Sequence, residues 1–426
     1  MKRKAKILSV ILAACMVLSL CACGTSDPEV SADGMTELSL WMPPYVSSDD
    51  DTALDLGFWQ ETLAPWAEEN NVKLNISIIP WGNYEERYLT AFVGNEGPDV
   101  GYMYNEMLYE YISNDMLEPM DDYVTDEQRE NSLYLNQGVI MGKQYTIPFS
   151  VGGARVMYYN MDLLSEAGVT KEPETWEEFT NAAIKVKENC ADDVIPFAGD
   201  WATQSVGSLN HLYYPYMWQA GGELFNEEGT EVALLDNDGA VDAAQFLYDL
   251  RFKYEVIPEE SMTFQENDVI TLFSEGKIAM CCLSNAISST FTDAGINWSF
   301  VPGLKMNAES EWKTWIGADS LVLNKASKNK DLAYSLISYI TSTPVMTIVH
   351  SDLFTEIPLN RDEPYLADEA FKDMSMESDN LRVLPVAKNA ANVMQSLKSN
   401  LQLMMMGNIT PEQAIQDTVT YAQGLS

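Results

Sequence analysis

The sequence predicts an α/β protein of two lobes, and three observations carry that expectation. Strand-like and helix-like segments alternate from residue 36 to the C-terminus. About 400 residues remain beyond an N-terminal leader, enough for two or more lobes with ample core. No flexible interdomain linker, internal repeat or low-complexity tract separates them. Two lobes would therefore exchange chain on structured segments, each built from discontinuous pieces that share a hinge of two or three crossovers.

The leader is residues 1–22. Lys2, Arg3, Lys4 and Lys6 precede a 14-residue apolar run, Ile7 to Leu20, too short to span a bilayer as a mature helix. Leu20, Ala22, Cys23 and Gly24 resemble a bacterial lipobox, in which the Cys23 thiol receives a diacylglyceryl group (the palmitate-bearing anchor of a lipoprotein) and cleavage makes it the N-terminus. Cys21 fits less well, because bulky Leu20 precedes it; the plainer reading is a secretory signal peptide that happens to contain cysteines. Residues 23–35 then form a polar tether from lipid to domain.

Loss of residues 1–22 removes four basic side chains and no acidic one, carrying the formal charge from −39 to −43. So acidic a surface argues against nucleic acid, polyanionic substrates and close packing on anionic lipid, which leaves membrane attachment to the lipid on Cys23. Beyond the lipobox only Cys190, Cys281 and Cys282 remain, an odd number with one adjacent pair, which makes no disulfide framework. Buried thiols are expected. His211 and His350 stand far apart without metal-ligand spacing, and neither metal nor cofactor is expected.

The elements follow in order. TELSLW (36–41) and VKLNISII (72–79) alternate with period two, and between them Phe58, Leu63 and Trp66 recur at near-helical spacing. A second helix is expected within 80–94. GNEGPDVGYM (94–103) then sets a turn at Gly97 and Pro98 before a short strand whose end carries Tyr104 and Asn105, with Asp99 holding the turn. Open α/β sheets place ligands at such carboxyl ends. Thr175 with Glu178, and Thr410 with Pro411 and Gln413, open two later helices. NDVITLFSEG followed by KIAMCCLSN (277–285) reads as helix, glycine stop and buried strand.

Seven blocks in order resemble the extracellular solute-binding proteins of bacterial ABC importers, family 1, the maltose and multiple-sugar type. They are Gly94 to Val100, GKQYTIPFSVGGARVMYYNMDLLSEAG (142–168), PETWEEFTNAAIKVKE (173–188), WQAGGELF (218–225), LFSEGKIAM (272–280), SKNKDLAYSLISYITS (327–342) and IPLNRD (357–362). The resemblance covers most of 36–426 and implies the type II periplasmic-binding-protein fold, two discontinuous lobes joined by a hinge with the ligand cleft between them. It implies crossovers near Pro148–Gly153, Phe300–Gly303 and Ile357–Asn360. Lobe one would hold 36–148 and 302–357, and lobe two 149–301 and 358–426.

A sugar presents an apolar C–H face and a rim of hydroxyls, so its site needs aromatic rings and planar polar groups. The candidates from lobe one are Trp41, Trp81, Tyr84, Tyr104 and Asn105, at or after strand ends. Lobe two adds Arg155, Trp201, Trp218 and Asn285, and the loop after the second crossover adds Trp315, Gly317 and Asp319. Trp59, Trp66, Trp176 and Trp298 read as core, Trp218 reads equally as a packed helix end, and SSDDD (47–51) as a solvated loop. The segment 384–395 lacks the stacking aromatic of many relatives, a departure that sets this chain apart from a long malto-oligosaccharide mode.

The resemblance thus implies a non-catalytic, monomeric receptor on the outer face of a (Gram-positive) cytoplasmic membrane. It would capture a carbohydrate and deliver it to ABC transporter permease subunits. Two alternatives stand beside it: the same fold binding a polyamine, peptide or other cationic solute, and a secreted glycoside hydrolase, which would need a carboxylate pair that no motif here fixes.

Overall fold

A computed structural model describes residues 34–46 and 52–425. The leader, Cys23, most of the tether and the acidic run 47–51 lie outside the described residues. The strands are β1 (Thr36–Met42), β2 (Val72–Ile78), β3 (Val100–Met103), β4 (Val139–Ile140), β5 (Lys143–Gln144), β6 (Thr146–Gly152), β7 (Arg155–Asn160), β8 (Ile195–Ala198), β9 (Ile278–Ser284), β10 (Trp298–Val301), β11 (Thr314–Trp315), β12 (Gly317–Leu323) and β13 (Leu381–Arg382).

One sheet has the order β2-β1-β3-β12-β6 and the other β10-β7-β9-β8, the two-lobe α/β architecture. In the first, β1 is parallel to β2 and β3, while β12 is antiparallel to β3 and β6, so four strands share one direction. In the second, β7 is antiparallel to β9 and β10, and β8 is parallel to β9. Period two is visible in both. Leu38, Leu40 and Met42 of β1 are buried, and alternate residues of β7 serve opposite faces of their sheet. Val156 and Tyr158 enter one hydrophobic cluster, Met157 and Tyr159 the other.

The helices follow the local signals. Ala53–Glu69 buries Trp59, Leu63 and Trp66, with Phe58 only half-buried beside them. Tyr84–Val93 buries Tyr84, Tyr88 and Phe92 at i, i+4 and i+8, and their rings form a ladder with centroids 4.8 and 6.1 Å apart. Thr175 Oγ1 accepts from Glu178 N, capping Trp176–Asn189, and Thr410 Oγ1 accepts from Gln413 N, capping Pro411–Gln423. The first box is not reciprocal, because the Glu178 carboxylate accepts from Glu174 N instead of Thr175 N. Trp176 is buried as expected of a core residue, whereas Trp298 is half-buried and stacks on Phe371 at 6.2 Å.

The chain passes between the sheets at Gly153 and Ala154, where Gly153 takes a φ of +65°. A second passage follows β10. There β11 pairs in parallel with β13, and Ile316 N donates to Arg382 O, a two-stranded ribbon just before β12 re-enters the first sheet. Residues 359–361 hydrogen-bond to 131–133, and the chain reaches the second helical cluster beyond β13, where Lys388 N donates to Gly229 O. Between these points Phe371 packs on Phe300, and Ser375 O accepts from Tyr134 Oη, so this segment touches both lobes. Among the described residues Cys190, Cys281 and Cys282 are free thiols; Cys281 is buried, and burial pushes its pKa well up.

Candidate ligand cleft

Because β1, β2, β3 and β6 run one way, their carboxyl ends emerge on a single edge of the first sheet, where β12 begins. The second sheet repeats the arrangement: β8, β9 and β10 end where β7 starts with Arg155. Gly153 and Ala154 connect the two edges directly, so the edges face each other across the passage. Asn285 N, at the end of β9, donates to Ala154 O and fixes that edge to the crossing. Such opposed carboxyl edges are where α/β folds hold solutes.

Asp99 works at the far end of β3. Its carboxylate accepts from Ser39 N, Ser39 Oγ and Ser327 Oγ at 2.8, 2.7 and 2.6 Å, tying the turn to β1 and the 327 loop. The strand it anchors then delivers Tyr104 and Asn105 to the cleft edge.

On the first wall Trp81 is 44% exposed, its indole N–H donating to Pro44 O at 3.2 Å. Its ring lies 4.9 Å from Tyr84 and 6.4 Å from Tyr104, a tilted platform with an open face. Tyr104 Oη donates to Glu85, and Asn105 Nδ2 donates to Leu384 O across the lobes at 3.3 Å. Asp319 stands opposite Ser150 at a break in the β6–β12 register beside Pro148, whose ring nitrogen has no proton to give. Its carboxylate accepts from Tyr102 Oη at 2.5 Å, and Ser150 Oγ donates to Glu356 at 2.8 Å. Burial pushes the Asp319 pKa up to about 7; the Tyr102 bond opposes this, and the charges of Glu106 and Glu356 add to it. Gly317 permits this edge to close, since a Cβ there would stand 3.2 Å from Gly152 O and 3.3 Å from the Trp315 ring.

The second wall carries the cations. Arg155 pairs with Glu266 at 3.2 Å and lies over the half-buried Trp315 ring at 5.5 Å, and its buried Nε has no partner. Arg382 pairs with Glu223 at 2.9 Å and lies 5.4 Å from the Trp218 ring. Trp218 is buried, stacked on Tyr214 at 5.8 Å, and its Nε1 has no partner. Tyr214 Oη, Asn210 Oδ1 and Asn285 Oδ1 are likewise buried without partners. Buried polar atoms of native proteins are ordinarily bonded, so these atoms keep hydrogen-bonding capacity that no protein group uses.

Some expected contacts lie elsewhere. Trp201 is buried in the second core, its carbonyl held by Gln402 Nε2 at 2.6 Å. Tyr84 is buried too, its hydroxyl committed to Tyr102 O at 2.9 Å, so it supports the Trp81 platform from behind. Trp41 packs edge-on against Tyr88 at 5.1 Å with the Arg87 guanidinium over its ring. For these three residues position at or after a strand did not decide the direction of the side chain. Conversely, Asn210 and Tyr214 escaped notice. The signal for both was present: 210, 214 and 218 are spaced i, i+4, i+8 through LNHLYYPYMWQ, one face of the broken helix Leu209–Gln219.

Residues 48–347 match the family model described as bacterial extracellular solute-binding protein. The chain is 23% identical to the galactooligosaccharide-binding protein of Bacillus subtilis, over 100% of this chain and 98% of that one. It is 24% identical to the diacetylchitobiose binding protein DasA of Streptomyces coelicolor, over 80% and 78% of the two chains. Among solved structures, the cyclic alpha-maltosyl-1,6-maltose binding protein from Arthrobacter globiformis superposes with a TM-score of 0.74 at 15% identity, covering 92% of this chain and 99% of its own. The sugar-binding protein MalE from Xanthomonas citri superposes with a TM-score of 0.74 at 21% identity, covering 91% and 97%. Two opposed carboxyl edges, the passage at Gly153 and the family match converge: this chain belongs to the bacterial extracellular solute-binding protein family.

Proposed function

We propose that this protein is an extracellular carbohydrate receptor that delivers its ligand to the permease of an ABC importer. The observation that carries the proposal is the set of unpartnered buried polar atoms on Asn210, Tyr214, Trp218, Arg155 and Asn285, set on the edge opposite the exposed Trp81 ring. Sugar hydroxyls both donate and accept, and so satisfy amide oxygen, indole N–H, phenol and guanidinium together, while a pyranose C–H face covers an indole. Relatives named for galactooligosaccharide, arabinooligosaccharide and diacetylchitobiose binding support the same class.

The mechanism is hinge closure. A solute that bridges both walls binds the closed form better than the open one and shifts the population toward it. We take lobe one as 36–148 with 302–357 and lobe two as 149–301 with 358–426, with Trp81, Tyr104, Asn105, Gly317 and Asp319 on one wall, Arg155, Trp218 and Asn285 on the other, and Trp315 reaching Arg155 from the ribbon between them. The receptor acts as a monomer held to the membrane by lipid on Cys23, and it binds sugar without cleaving it. Calorimetric titration against neutral di- and trisaccharides, with assay for new reducing ends, tests the reading. Heat of binding without new ends supports it; steady production of reducing ends makes the protein a hydrolase.

A further inference from the structure

Lys398 lies on the helix Ala390–Met405, whose Leu397, Leu401 and Met405 belong to the second hydrophobic cluster. It is 3% exposed, and among the described residues it makes no ion pair. Its ammonium donates instead to two main-chain carbonyls, Thr203 O and Ser205 O, the second at 2.7 Å. One helical turn on, Gln402 Nε2 donates to Trp201 O at 2.6 Å. The carbonyls of alternate residues 201, 203 and 205 thus point at one face of this helix.

The loop so held lies at the cleft edge of the second sheet. It leaves β8 at Ala198, which stands opposite Cys281 near the carboxyl end of β9. At its start the Asp200 carboxylate is bound to the His211 ring of helix Leu209–Leu212, both side chains buried. Ala202 N donates to Phe264 O at 2.9 Å, beside Glu266, the carboxylate that pairs with Arg155 at the head of β7. Ser205 Oγ accepts from Gly207 N at 3.1 Å and caps the turn that follows. One side of the loop is therefore fixed to the helix and the other to the turn beside Arg155, with Gln204 and Ser205 exposed.

A buried ammonium held by neutral carbonyls is a costly way to stabilise a fold. Desolvating a charge opposes folding, and an apolar side chain of similar length would not carry that penalty. Burial pushes the Lys398 pKa down, and the charge of Asp200 opposes the shift. What the ammonium adds is three N–H donors on one atom, which gather two carbonyls and fix the chain between them.

We propose that Lys398, with Gln402 beside it, is a positioning residue for solute binding: the pair holds the loop of residues 199–207 in the shape that the second wall presents to the cleft. This rests on the carbohydrate reading and deepens it, since neither side chain need touch the solute to govern how well it is held.

Lys398→Met and Gln402→Leu test the inference against the parent by three measurements. These are thermal unfolding, hydrogen exchange of the bonded Ala202, Thr203 and Gly207 amides without ligand, and calorimetric titration with neutral di- and trisaccharides. In Lys398→Met the melting temperature should hold or rise, because a desolvated charge is gone. Exchange at the three amides should quicken at least about tenfold as the loop opens locally. Affinity for the saccharide that the parent binds best should fall at least about fivefold, since binding must then order the loop. Gln402→Leu should change exchange and affinity in the same direction by less. A lysine that serves the fold alone would lower the melting temperature and leave the affinity of folded molecules intact, and that result overturns the inference. So does unchanged exchange in both variants, or faster exchange with unchanged affinity. A parent that binds none of the saccharides overturns the carbohydrate reading by itself, and the exchange difference still decides whether the two side chains hold the loop.

Discussion

The Tyr102 hydroxyl donates to the Asp319 carboxylate at 2.5 Å, joining the strand behind the PDV turn to the strand that leaves the β11–β13 ribbon. In the β3–β12 register Tyr102 faces Leu321, so Asp319 is its diagonal neighbour on the same sheet face, two residues nearer the cleft. One carboxylate is thereby desolvated where the chain passes between the two sheets, with a phenol as its donor and, among the described residues, no ion-pair partner.

That arrangement gives a pH-dependent cost. Folding raises the Asp319 pKa, so the folded protein holds this proton more tightly than the unfolded chain. Its contribution is most favourable below the unfolded value of about 4 and is lost as pH rises through about 7. Asp319→Asn keeps an acceptor for Tyr102 and removes the charge. It should raise stability by about 1–2 kcal/mol at pH 8, a figure discounted for the side chain's partial exposure, and by nothing near pH 4. Thermal unfolding of both proteins across pH measures the difference.

Trp315 and Trp176 separate cleft from core. Trp315 is half-buried beneath Arg155, whereas Trp176 is 8% exposed, stacks on Phe246 at 4.4 Å and donates to Gln219 at 2.8 Å. Trp315→Ala should weaken binding by about 1–3 kcal/mol with little loss of stability. Trp176→Ala should cost about 3–5 kcal/mol of stability and leave the affinity of folded molecules nearly intact. Early unfolding with normal binding by Trp315→Ala would place that ring in the core.

These contrasts show what was legible in the sequence. Period two in β1 and β2, the Gly97–Pro98 turn before β3 and the caps at Thr175 and Thr410 are local, and local chemistry decides them. The direction of a side chain at a strand end is not local. Trp81 and Tyr84 are three residues apart in one segment, yet one is exposed and the other is locked to Tyr102 O by helix phase. The β11–β13 ribbon has two residues in each strand, too few for any period, and its partners lie far apart in sequence. Asn210 and Tyr214 owe their place on the second wall to packing against it, so their spacing became informative only once the edge was known.

Lipidation is tested apart from the cleft. Cys23→Ala should appear in the medium or as uncleaved precursor when the full chain is expressed in a bacterium with lipoprotein processing, while the parent stays with the membrane fraction. Unchanged membrane attachment of the variant would rule out Cys23 as the anchor.

Tyr214→Phe reports most directly on whether a solute is held between the two walls. Tyr214 is fully buried and its hydroxyl has no partner, so its removal deletes no intramolecular bond. The variant without ligand should be as stable as the parent or slightly more so, because a desolvated, unsatisfied hydroxyl is gone. Affinity for the bound saccharide, read by calorimetric titration, should fall by about 1–2 kcal/mol, roughly five- to thirtyfold, as one ligand hydrogen bond is lost. Unchanged affinity together with unchanged stability would mean that no solute reaches Tyr214, and the cleft between Trp81 and the Asn210–Tyr214–Trp218 face would not be the binding site.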